Sequence, residues 1–228
     1  MHFIRKTVQS TKQEYRQFLS DNFKELKLAK PLFYSQNFGL RFDLQVGETD
    51  TDEYFQEVLK RASAIFQTAF DNSDNMFLVF MDYKYRRRKI RFSNFTFKQI
   101  YNLKKTEISY SKEFRLYYPD DKFDIRNVAI IKLIASRINH KNILTAIGNS
   151  DFRSRQPKLD NNDFLSSKEI YFVNIDKKLI FHMYDDRGLD IIGTDLETIK
   201  PIYMKHKQWI LDFDKEKIEK QFEEKNAL

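Results

Sequence analysis

The sequence predicts an α+β fold: an antiparallel sheet with a C-terminal three-stranded meander, packed by flanking helices. Apolar residues recur at helical spacing over Asp50–Phe70, shorter alternating or continuous apolar runs read as strands, and tight polar turns join paired runs between Lys168 and Gly193. At 228 residues with a hydrophobic share of 41%, the chain can bury a substantial core as a single domain. Its 22 Phe and 12 Tyr make that core one of rings, each burying roughly 150–250 Å².

Ser10 or Thr11 followed by Gln13 or Glu14 forms a capping-box pattern, and Tyr15, Phe18, Leu19, Phe23 and Leu26 continue it as a helix over 11–27. Phe38, Leu40, Phe42 and Leu44 alternate with polar residues as a half-buried strand does, up to Gly47. Asp50 with Glu53 caps the clearest helix, whose stripe is Phe55, Val58, Leu59, Ala62, Ile65, Phe66 and Ala69. Met76–Met81 is short and continuously apolar, the pattern of a strand buried on both faces, and Tyr83–Lys89 is expected to turn it into a partner strand at Ile90–Phe92. A short helix over Thr96–Leu103 follows, with Ser93 or Asn94 as its cap. Strands are expected at Glu107–Tyr110, Phe114–Tyr118 and Val128–Ile138, and a helix at Lys141–Ile147 closed by a left-handed Gly148. Asn149–Ser167 is polar and reads as a linker or functional loop.

In the C-terminal quarter, Ile170–Ile175 and Leu179–Tyr184 flank the loop Asp176-Lys177-Lys178, and Asp185–Gly188 turns the chain into Leu189–Ile192. Thr194 with Glu197 is a third capping box, for a helix that Pro201 should kink or divide; Asp214 is placed to cap the last helix. The words IFHMYDDRGLDIIG at Ile180–Gly193 and PIYMKHKQWILDFD at Pro201–Asp214 resemble a bacterial family known as domain of unknown function 3885. That resemblance implies a cytoplasmic bacterial protein with no assigned activity. It rests on residues 168–225.

The chain has no Cys, which excludes disulfides, thiolate metal sites and cysteine nucleophiles and suits a reducing compartment. No stretch reaches the length of a signal peptide or a membrane span, so a cytoplasmic location without membrane contact is expected. The net charge of +7 favours polyanions only mildly, because acids are interspersed throughout. A glycine-rich phosphate loop, a G-x-S-x-G elbow and an H-E-x-x-H pair are all missing, and five Gly leave little room for nucleotide-cradling loops.

These absences make a binding or interaction protein the first expectation, toxin-neutralising or regulatory, with a protein partner and no cofactor. The positive balance argues against inhibition of a basic nuclease. Tyr184, Asp185, Asp186, Arg187, Asp190 and Trp209 are the candidate binding residues. In the structural reading of the turn, Asp186 accepts backbone N–H groups, Arg187 forks onto a carboxylate and Gly188 adopts a positive φ. In the functional reading, Asp185, Asp186, Asp190 and Asp195 converge on Mg²⁺ for metal-assisted hydrolysis, and His182 joins Tyr184 in an acid/base cluster. No fixed metal-ligand spacing is present. Asp185 and Asp186, being adjacent, should face opposite sides of a strand. The alternative partner is nucleic acid, through Arg86, Arg87, Arg88, Lys89 and Arg91, flanked by Tyr85 and Phe92; the same block also suits a solvated hairpin tip. Arg153 and Arg155 are its second contacts.

Overall fold

Ser10 opens the first helix, α1 (Thr11–Phe23), with a closed capping box: its hydroxyl accepts the Gln13 N–H and its own N–H donates to the Gln13 side chain at 2.9 Å. The computed structural model describes residues 9–24, 26–84, 90–159 and 166–223. Lys24, at φ 49°, takes the chain out of α1 short of the expected residue 27. β1 (Gly39–Asp43) carries Leu40 and Phe42 into the core. The next helix, α2 (Asp52–Ala69), is capped by Thr51, whose hydroxyl accepts the Tyr54 N–H at 3.2 Å; Asp50 stands outside it at φ 69°.

β2 (Asn75–Lys84) is followed by the single turn α3 (Phe95–Lys98), capped by Asn94. Ile90–Phe92 forms no strand; Ile90 is a buried coil residue, and β2 finds its partners elsewhere. β3 (Ile108–Phe114) is one strand where two were expected, ended by Arg115 at φ 54°. β4 (Ile125–Ile134) begins earlier than expected and stops before Ile138. In α4 (His140–Gly148), Gly148 is the last helical residue and Asn149 follows in right-handed conformation, so no left-handed cap is used.

The meander forms as read: β5 (Ser166–Asn174), β6 (Leu179–Met183) and β7 (Gly188–Gly193). In α5 (Leu196–His206) the cap is Asp195, accepting the Thr198 N–H at 2.8 Å, and the helix runs through Pro201 without a break. α6 (Asp212–Glu223) starts before Asp214, which therefore sits inside its first turn.

Among the described residues, all seven strands join one antiparallel sheet in the order β1-β7-β6-β5-β2-β4-β3, so the meander extends the sheet that holds β2 and β4. The architecture is α+β. On one face, Ala62, Phe66, Ile143, Ile147 and Ile199 of α2, α4 and α5 pack on Leu78, Phe80, Phe172 and Phe181. On the other, Tyr15, Leu19, Phe23 and Leu32 cover Phe77, Val79, Tyr171 and Val173. Burial on both faces explains why β2 reads as a continuous apolar run. No helix among the described residues is long and apolar enough to cross a membrane.

The two sheet edges differ. β1 is closed off by the chain before α6: Phe42 bridges Ile210, and the Leu211 N–H donates to the Arg41 carbonyl at 2.9 Å. Among the described residues no strand or loop pairs with the outer edge of β3.

Candidate functional site

The turn after β6 is built by Asp185, not Asp186. Asp185 Oδ1 accepts the Arg187 N–H at 2.8 Å and Oδ2 accepts the Arg187 guanidinium Nε–H at 2.9 Å, a local clamp that reverses the strand. Gly188 is required for space, since its φ is not positive: a Cβ there would lie 2.7 Å from the Phe42 carbonyl and against the Tyr184 hydroxyl. The bend rotates both carboxylates to one side. Asp186 takes the Tyr54 hydroxyl of α2 at 2.5 Å, and that hydroxyl in turn accepts from Gln45 at 3.1 Å. Burial, the largest cause, raises the Asp186 pKa, with the neighbouring Asp185 charge adding to it. Asp151, just past α4, completes an acidic group in which one oxygen from each of Asp151, Asp185 and Asp186 lies within 4.8 Å of the others. Sequence reading missed both Tyr54 and Asp151: one sits in the apolar phase of α2 and the other in an ordinary polar turn.

Asp190 and Asp195 are not part of this group. Asp190 is fully buried, accepting the Phe33 N–H at 3.0 Å and facing Arg41 Nε at 3.3 Å; Arg41 also reaches Asp214 at 3.6 Å, which accepts the Tyr34 hydroxyl at 2.8 Å. Burial pushes the Asp190 carboxyl up to about 6 against the opposing pull of Phe33 and Arg41. Tyr184 lies beneath the Arg41 guanidinium, 5.6 Å from its ring centre. His182 shares the strand but no acid/base cluster: its ring stacks on Tyr171 at 4.1 Å, its Nδ1 is 3.0 Å from the Ile170 carbonyl, and the Tyr184 ring is 6.4 Å away. Burial lowers its pKa to about 4. Trp209 stacks on His206 at 5.0 Å under Arg61 and packs partly buried on the main core, as an anchor.

Of the basic block, Arg91 is exposed; Arg86, Arg87, Arg88 and Lys89 lie outside the described residues. Arg153 is exposed, and Arg155 is held by Asp50 and Asp52 at 3.0 and 2.9 Å with its guanidinium over the Phe55 ring, a fixed contact of the α2 N-terminus. The sheet edge next to Arg91 is richer. Tyr110 (50% exposed), Phe114 (57%), Tyr118 (65%) and Phe123 (60%) display rings along and just beyond β3.

A family model described as domain of unknown function (DUF3885) matches residues 15–214. The chain belongs to that family. It is also 24% identical over 209 residues to the "Uncharacterized protein YnaE" of Bacillus subtilis (strain 168), covering 86% of this chain and 96% of that protein. No solved structure matches. The family span takes in every strand, the acidic turn, and Asp214 beside Arg41. The words that carried the resemblance thus serve the fold: Gly188 makes a close approach, Asp185 clamps a turn, and Asp190 and Asp214 hold one arginine.

Proposed function

We propose that the protein is a non-catalytic bacterial interaction protein that works in the cytoplasm and pairs an extended acidic segment of a protein partner against the outer edge of β3. The observation that carries this is the difference between the two sheet edges: β1 is blocked by the chain before α6, whereas β3 keeps its outer edge unpaired among the described residues. Unpaired strand edges recruit extended chains through backbone hydrogen bonds, and side-chain contacts set which chain is taken. Phe114, Tyr118 and Phe123 supply the ring type enriched at interface centres, and exposed Arg115 beside them favours acidic residues in the partner. The acidic turn supports catalysis less well, because Arg187 occupies Asp185 and Tyr54 occupies Asp186.

A photo-crosslinking residue at Tyr118 tests this in the producing cell, with Met204, exposed on α5, as the control position. One protein is expected to crosslink at Tyr118, through a mapped extended acidic segment, and to be lost when Phe114 and Phe123 are changed to Glu. Equal crosslinking from Met204, a partner consisting only of second copies of this chain, or no product would each reject the reading.

A further inference from the structure

We infer that a separate groove beside this edge, over β3 and β4 on the sheet face that carries α2 and α4, binds a nucleotide unit: a flat base with its phosphate. The groove has a volume of about 590 Å³, within the roughly 300–1,000 Å³ of small-molecule sites. Ile90, Phe92, Lys105, Tyr110, Lys112 and Asn127 line it. Phe92 and Tyr110 are 37% and 50% exposed, and the Lys105 ammonium stands 5.5 Å from the Phe92 ring centre. Among the described residues the lining holds two ammonium groups and no carboxylate, which makes it cationic. Rings beside cations accept a base by stacking and its phosphate by charge. An aliphatic acid would use the lysines and leave the rings idle.

Strand register supplies a second observation. Lys112 lies opposite Asn127, Asn127 opposite Asp82 and Asp82 opposite Lys168, so one polar row crosses β3, β4, β2 and β5 at the inner end of the groove. The row two residues along, Tyr110, Ala129, Phe80 and Ile170, is apolar beyond Tyr110. Polar groups therefore enter this face of the sheet where the groove meets it. Asn127, itself part of the lining, makes the floor of the groove polar at this row.

The base and phosphate belong either to a free nucleotide or to a single strand, and titration with AMP, UMP and a labelled single-stranded RNA oligonucleotide at low and physiological salt separates the two. Binding is expected to weaken about tenfold or more in Tyr110→Ala and in the Lys105→Glu/Lys112→Glu pair, and to persist in Tyr110→Phe. A marked preference for the oligonucleotide, with affinity falling as salt rises, assigns a strand; equal affinity for the mononucleotides assigns a free nucleotide. The inference is overturned if no probe binds, if folded Tyr110→Ala, checked by circular dichroism, binds as wild type, or if polyglutamate binds with the same residue dependence. Crosslinking at Tyr118 should be unchanged in Tyr110→Ala, so the groove and the edge pairing fail or stand independently.

Discussion

Tyr54 and Asp186 meet at 2.5 Å and join the start of α2 to the turn after β6, so removing either side breaks one shared bond. Tyr54→Phe and Asp186→Ala should each cost roughly 1–3 kcal/mol in denaturant unfolding, and the double variant clearly less than the sum. Full additivity would show that the bond contributes nothing. The same proteins test the acidic group: a melting temperature raised by Mg²⁺ in the wild type and unmoved in Asp186→Ala would turn Asp151, Asp185 and Asp186 into a cation site.

His182 offers the pH test. Its folded pKa of about 4 lies below the ordinary 6.5, so the folded state refuses a proton that the unfolded chain accepts. The associated stability is complete above pH 6.5 and is lost as pH falls toward 4, a change on the order of 3 kcal/mol. Asp190 acts in the opposite sense: raised from 3.8 to about 6, it contributes fully below pH 3.8 and loses that contribution as pH rises through 6. The readout is therefore the difference between wild type and His182→Phe across pH 4–7, which should show a shallower acid loss in the variant. Parallel curves would contradict the buried neutral imidazole.

At the scale of elements, features with both signal and partner inside one turn of chain were readable. Ser10 with Gln13 is such a case, and so is the apolar stripe of α2, because capping and periodicity are local. The three strands from Ser166 to Gly193 were legible for the same reason: their loops are short and consecutive strands pair. Ile90–Phe92 misled because an apolar residue in a coil and one in a strand look alike, and Ile90 is buried by its neighbours, not by pairing. Thr194 and Asp195 are both good caps, and the choice fell to the residue whose carboxylate reached the Thr198 N–H. In the acidic turn, the sequence assigned the turn-closing role to Asp186 whereas Asp185 takes it, since which carboxylate reaches the Arg187 N–H depends on a bend that adjacent-residue alternation does not describe.

At the scale of the whole molecule, the main core cluster runs from Phe33 and Leu40 through Phe80 and Phe172 to Ile218, so residues far apart in the chain share one packed interior. Unfolding should accordingly be cooperative. Fluorescence of Trp209, the one Trp of the chain, and far-ultraviolet circular dichroism are expected to give coincident urea transitions. A Trp209 transition at lower urea, with most secondary structure intact, would show that the C-terminal elements unfold separately.

Helix positions, the meander, the aromatic nature of the core and the absence of thiol chemistry follow from local pattern and composition, because each depends on residues within a few positions or on none in particular. The strand order, the union of Tyr54 with Asp186, the pairing of Asp190 with Arg41 and the polar row from Lys112 to Lys168 were assigned by packing across long sequence separations. A side chain's role in such places is set by which distant strand or helix lies next to it, and no period of 2 or 3.6 residues encodes that neighbour.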